Sequence, residues 1–273
     1  MENLSRRLER INVLLTESTI EIDRVISLDH DRFVESDTGF VPYYYRFLAE
    51  VVEKLDAIIP KNTVSLDLGT GHGAWALMTA AAGFQSYGID VNPYLIQKAR
   101  ENHISAVDGR LIEPDVACRF AVGNIYSEEY RLAYQNYVYD ALAPRAEDDK
   151  RMIQRNTMPL DFEGNPYEEL GISIRDVGLI YCYVWADQMG FLCDFLEKET
   201  NQDAIFVLPY YGRWYGHGVV EDRSGQFDPE QSPLKLRSIL PTDDASLDDN
   251  SLDDTSSLIC GLLPFVGRRV DGQ

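Results

Sequence analysis

Two carboxylates and three glycines are the residues of this sequence best suited to holding a ligand. Residues 64–73 read Val-Ser-Leu-Asp-Leu-Gly-Thr-Gly-His-Gly, so Asp67 is followed by Gly69, Gly71 and Gly73 at alternate positions. A glycine lets the backbone approach a ligand without a Cβ and permits positive φ. Downstream, residues 84–90 (Phe-Gln-Ser-Tyr-Gly-Ile-Asp) end in a second acid, Asp90. An ionised carboxylate there can accept two hydrogen bonds in a fork, as from the hydroxyls of a ribose. A helical run from Ala74 offers free N–H groups and a positive end to an anionic group. The chemistry that fits is the holding of a nucleoside-bearing cofactor. Gly69, Gly71 and Ala74 also satisfy the dinucleotide spacing G-x-G-x-x-G/A, so a nicotinamide dinucleotide is a rival ligand, and an ordinary tight turn is the bland alternative.

These residues need strands and helices to place them. Val64, Leu66 and Leu68 predict a strand ending at the glycines, followed by a helix over 74–82 and a second strand over 84–90. Pro93 sits in the first turn of the next helix, over 93–102. Residues 119–125 read as a third strand and its exit loop, 176–185 as a buried fourth strand and 203–209 as a fifth. Between the last two, Met189, Leu192, Phe195 and Leu196 give residues 187–200 one apolar helical face. Strands alternating with helices imply a parallel, doubly wound sheet. Ligands of such sheets sit outside the carboxyl ends of the strands. That edge would carry Tyr183, Trp185 and Asp187 after strand four, and Tyr210 and Tyr211 after strand five. The plain alternative for the last two is a loop pinned by aromatic packing.

The run Asp67-x-Gly-x-Gly-x-Gly73 with Asp90 closing the next strand resembles the class I S-adenosylmethionine (SAM)-dependent methyltransferases. The resemblance implies that Asp67, Gly69, Gly71 and Gly73 hold the methionine part of SAM, that Asp90 binds the ribose, and that Val91 packs on the adenine. Asn124, with Ile125 beside it, stands where the family often has an acid bonding the adenine amino group; an asparagine oxygen can accept the same bond. The implied fold is an α/β, doubly wound, Rossmann-like and mostly parallel seven-stranded sheet with an antiparallel last strand. Residues 234–240 and 258–266 are strand-like and would complete it. Phe40-Val41-Pro42 is similar to a Tyr-Val-Pro element ahead of the glycine loop in lysine methyltransferases, where it lies over the cofactor. Here Tyr43 or Tyr44 would supply the hydroxyl.

The resemblance implies methyl transfer by in-line displacement to a protein side chain or a small molecule. Tyr183 and Asp187 are the candidate catalytic residues; Tyr43, Trp185, Tyr210 and Tyr211 are the candidate substrate contacts. A NAD(P)-dependent oxidoreductase and a non-catalytic SAM-fold binding subunit are the rivals. Residues 183–187, Tyr-Val-Trp-Ala-Asp, lack the Asn/Asp-Pro-Pro-aromatic run of base-amino methylating enzymes. A formal charge of −20 also repels phosphates, so nucleic acid and anionic membrane are poor default partners.

The rest of the chain frames this unit. Leu4, Leu8, Ile11, Leu14 and Leu15 give residues 3–27 one apolar helical face. Residues 1–35 read as an N-terminal helical cap that packs on the remainder or mediates homo-oligomerisation, and 36–273 as the SAM-binding domain. Residues 127–175 exceed a simple connection and suggest a lid or substrate insertion. Tyr126, Tyr130, Tyr134 and Tyr137 follow helical spacing there, which packing demands and an aromatic substrate wall would also use. Over 242–257 an Asp-Asp pair recurs at Asp243, Asp248 and Asp253, a flexible acidic loop without the glycine of a calcium site. Four scattered cysteines suggest reduced thiols and no zinc site. With no signal-like start and no membrane-length apolar run, a cytoplasmic protein is expected.

Overall fold

Strand β1 (Val64–Leu68) is buried along nearly its whole length, as a central parallel strand must be. Its side chains alternate between two layers. Leu66 and Leu68 face one apolar cluster with Ile180 and Phe195, while Ser65 accepts a hydrogen bond from Trp75 on the other side. The computed structural model describes residues 2–28, 45–126, 130–133, 164–182, 189–201, 203–211, 236–238 and 262–269.

After β1 come helix α3 (Ala74–Ala81), β2 (Gln85–Asp90), α4 (Pro93–Asp108) and β3 (Cys118–Val122). The helix α4 runs six residues beyond the expected end at 102. It starts at a strong cap: Asn92 Oδ1 accepts from the N–H groups of Tyr94 and Leu95, with Pro93 next in line. A short helix α5 (Pro166–Leu170) precedes β4 (Leu179–Cys182). Asn165 caps this helix and Gly171 ends it at φ 71°. β4 starts at Leu179 rather than at the expected 176, because residues Ile174–Asp176 form a 3-10 turn; residues 183–185 of the expected strand lie outside the described residues. α6 (Met189–Glu199) leads to β5 (Ile205–Tyr211).

Strands β1 to β5 are parallel neighbours in the order 3-2-1-4-5. β7 (Leu262–Arg269) pairs antiparallel with β5, and β6 (Leu236–Ser238) antiparallel with β7. The continuous parallel body is therefore five of the sheet's seven strands, and β7 is the antiparallel last strand of the expected sheet. Parallel neighbours need a crossover helix; the last two strands join by antiparallel pairing instead.

Helices α1 (Leu4–Leu28) and α2 (Tyr45–Asp56) share one core with α3 and α4. Leu8, Ile11 and Leu15 of α1 are fully buried against this layer, so the leading helix adds to the main core rather than building its own. On the other face, Tyr126 and Tyr130 meet Phe195 of α6 edge-on at 5.1 Å. The first half of the tyrosine stripe thus packs; Tyr134 and Tyr137 lie outside the described residues. Among the described residues no helix is long and apolar enough to cross a membrane, and Cys118, Cys182 and Cys193 are buried.

Candidate functional site

The order 3-2-1-4-5 reverses direction at β1 and β4, which makes the carboxyl ends of β1 and its neighbours the crevice of this sheet. The glycine turn stands there. Gly69, Gly71 and Gly73 all have positive φ, at 83°, 55° and 94°, values that L side chains rarely adopt. The N–H groups of Gly69 and Thr70 both donate to the Ile89 carbonyl at 2.9 Å, tying the turn to the end of β2. Gly73 precedes α3, and no side chain caps that helix.

The three glycines do different work. Gly69 is exposed and Gly71 half-buried, whereas Gly73 is buried. A Cβ on Gly73 would lie 3.1 Å from both Ala99 Cβ and Phe120 Cζ. The third glycine therefore lets α3 pack against α4 and β3, and only the first two face the open side. Gly88 of β2, read from the sequence only as a strand residue, has a similar role: its Cβ would stand 2.6 Å from Thr70 Oγ1 and 2.8 Å from Phe120 Cδ1. Thr70 cannot easily yield, since its hydroxyl donates to Asp67 Oδ2 at 2.6 Å. Gly88→Ala is expected to destabilise the fold by about 2 kcal/mol through overpacking, read by urea denaturation; unchanged stability would show that Thr70 swings away freely.

Asp90 aims at the turn. Its Oδ2 accepts from Gly71 N–H and its Oδ1 from Asn92 N–H, each at 2.8 Å. A carboxylate has about four lone-pair sites, so each oxygen can accept one bond more. Asp67 is buried deeper, at 1% exposure, and its Oδ1 has no hydrogen-bond partner.

Burial lifts the Asp67 carboxyl to about 7; the Thr70 bond opposes this and the Asp90 charge adds to it. Burial lifts Asp90 to about 6 against the bonds from Asn92 and Gly71. The folded chain therefore keeps these protons where the unfolded chain has lost them. Their contribution to stability is fullest below about pH 4 and is lost as pH rises through about 6 to 7. Burial takes His72 down to about 4, so its contribution is present above its ordinary 6.5 and lost as pH falls toward 4. Asp67→Asn is accordingly expected to gain stability relative to the parent chain between pH 4 and pH 8. Denaturation across that range checks it, and a flat difference would mean that Asp67 does not titrate there.

Val91 and Ile125 are half-buried beside Asp90 and Asn124 at the ends of β2 and β3. Asn124 is buried at 2% exposure, and its Oδ1 already accepts from Tyr126 N–H at 2.9 Å. Tyr43, Tyr183, Trp185 and Asp187 lie outside the described residues. Tyr210 and Tyr211 are the last residues of β5, not of a loop beyond it, because their backbone pairs with Leu263 and Leu262 of β7. Sequence reasoning missed Thr70, Tyr45 and His72. His72 carries the one signal that was available, an imidazole inside a run otherwise made of glycine and threonine. Among the described residues no group of three His, Cys, Asp or Glu is placed to hold a metal.

No protein-family model matches the chain. Its sequence is similar to a ribosomal protein L11 methyltransferase of Alkaliphilus oremlandii (strain OhILAs), 26% identical over 138 residues, 49% of this chain and 43% of the relative. The chain thus spans less than half the length of that relative. Among solved structures it is similar to a TehB-like SAM-dependent methyltransferase from Corynebacterium glutamicum, at 16% identity over 93% of this chain and 99% of that one, TM-score 0.43. It is also similar to an RNA methyltransferase from Salinibacter ruber in complex with S-adenosyl-L-homocysteine, at 18% identity over 66% and 86%, TM-score 0.39. Likenesses this distant decide nothing about activity. The sequence match bears out the resemblance to class I methyltransferases drawn from the glycine run.

Proposed function

We propose that the chain is a SAM-dependent methyltransferase whose cofactor lies across the glycine turn. The observation that carries this reading is the Asp90 carboxylate, bonded to Gly71 N–H at 2.8 Å while each oxygen keeps a lone pair for a ribose hydroxyl. Gly69 and Gly71 would let the backbone approach the methionine part, and the uncapped start of α3 would receive its carboxylate. Val91, Asn124 and Ile125 would border the adenine.

SAM supplies an electrophilic methyl group on a sulfonium. The protein has to bind it, align the acceptor and exclude water. Tyr183 and Asp187 are proposed to position the acceptor or take its proton, with Tyr43, Trp185, Tyr210 and Tyr211 around it. A protein side chain or a small molecule is the proposed acceptor. A solved structure named for RNA methylation leaves nucleic acid open as an acceptor class, with the charge of −20 arguing against it.

Isothermal titration with SAM, S-adenosylhomocysteine and NAD tests the cofactor. Binding of the first two and not the third is expected; NAD binding alone would replace this reading with an oxidoreductase. Incubation with labelled methyl donor and cell lysate then shows whether label enters protein, RNA or small molecules. A stable complex with SAM but no turnover would leave a binding subunit.

A further inference from the structure

Thr19 of α1, Tyr45 at the start of α2 and His72 in the glycine turn meet in a buried cluster that cofactor contact does not require. The Tyr45 hydroxyl lies 2.6 Å from Thr19 Oγ1 and 2.8 Å from His72 Nε2. Thr19 donates to the Leu15 carbonyl at 2.9 Å, so its oxygen can accept from Tyr45, whose own oxygen can accept from the imidazole N–H. His72 is 2% exposed and Tyr45 7%. Burial pushes Tyr45 up to about 12 and His72 down to about 4, so both are neutral near pH 7, and the Leu15 backbone also bonds His72.

A second tie reaches the same residue from α4. Asn102 Nδ2 donates to the His72 carbonyl at 3.0 Å and to Ser18 Oγ of α1 at 3.1 Å. Lys98, also on α4, bridges to Glu21 of α1 at 2.7 Å. His72 is therefore held by side chain and by backbone, and both ties lead to α1. It is flanked by Gly71 at φ 55° and Gly73 at φ 94°, two joints that could bend without it. Buried polar groups cost stability unless they are hydrogen-bonded, and a packing cap alone could use apolar side chains here. What this cluster adds is direction.

We propose that Thr19, Tyr45 and His72, with Ser18 and Asn102, are positioning residues: they brace the glycine turn from α1 and α2 in the shape that brings Gly71 N–H to Asp90. The consequence for ligand binding rests on the cofactor reading above; the brace itself does not. Tyr45→Phe removes one hydroxyl and keeps the ring, and His72→Gln offers an amide that can rebuild the bond to Tyr45.

Hydrogen exchange without ligand reads the turn directly. In Tyr45→Phe, amides of residues 69–73 should exchange about tenfold faster, the loss of one buried hydrogen bond, while those of β4 keep their protection. S-adenosylhomocysteine should bind the same variant about tenfold more weakly, and His72→Gln should fall between it and the parent chain. Parent-like exchange in the turn would overturn the proposal. So would equal acceleration in the turn and β4, which marks a plain loss of stability; a loosened turn with unchanged affinity would overturn its consequence for ligand binding. If the parent chain binds neither SAM nor S-adenosylhomocysteine, the cofactor reading fails, and the exchange ratio alone decides the brace.

Discussion

Asp90→Ala is expected to weaken SAM and S-adenosylhomocysteine binding by about 3 kcal/mol, more than a hundredfold in Kd. Two losses combine. The ribose hydroxyls would lose a charged acceptor, for which bonds of this kind contribute about 1.5–3 kcal/mol. The N–H groups of Gly71 and Asn92 would also lose the oxygens that hold them at 2.8 Å, so the turn would be less well shaped for any ligand. Asp90→Asn should fall between the two, since an amide offers one acceptor oxygen and turns its NH₂ toward a backbone donor. Titration calorimetry measures both variants, and thermal denaturation separates binding from folding. Unchanged affinity in Asp90→Ala would remove the ribose assignment and the reading built on it.

Trp75→Ala is expected to destabilise the fold by about 4 kcal/mol. Trp75 is fully buried in α3, two residues past Gly73. Its ring stacks on Tyr181 of β4 with centroids 4.7 Å apart and planes 14° from parallel. Its Nε1 donates to Ser65 Oγ of β1 at 3.1 Å. One side chain thus joins the helix behind the turn to both strands of the crevice. Truncation opens a cavity and leaves the Ser65 hydroxyl short of a partner in a layer where Thr79 and Ser86 bond one another. Against a typical stability of about 5–15 kcal/mol this is a large share. Urea denaturation should show a lower midpoint with an unchanged slope. Trp75→Phe, which keeps the stacking, should lose only about 1–2 kcal/mol. A loss under about 1 kcal/mol in Trp75→Ala would mean that the seam between α3 and the sheet closes over the gap.

Local pattern was enough for the parallel body and for the place of the site. β1 spans Val64–Leu68 as the alternation of its side chains implies, and α3 begins at Ala74, directly behind the glycines. Positive φ at Gly69, Gly71 and Gly73 follows from residue type, because a chain that needs such angles in succession has little choice but glycine. The acid closing β2 could be placed beside that turn because a strand, a crossover helix and a parallel strand bring their carboxyl ends to one edge. These are properties of short stretches of chain, written in periods of two and of 3.6 residues.

Tertiary contact decided the rest. Nothing in the spacing of three glycines separates the two that face the open side from the one that admits Ala99 and Phe120. Gly88 is an ordinary strand residue until Thr70 arrives above it. Tyr43, Tyr44 and Tyr45 are equivalent as letters; among the described residues Tyr45 reaches His72, where α1 lies across the turn and supplies Thr19. Such pairings join residues 26 and 27 positions apart. Their partners are chosen by how helices pack on the sheet, and a one-dimensional pattern carries periodicity but not that choice.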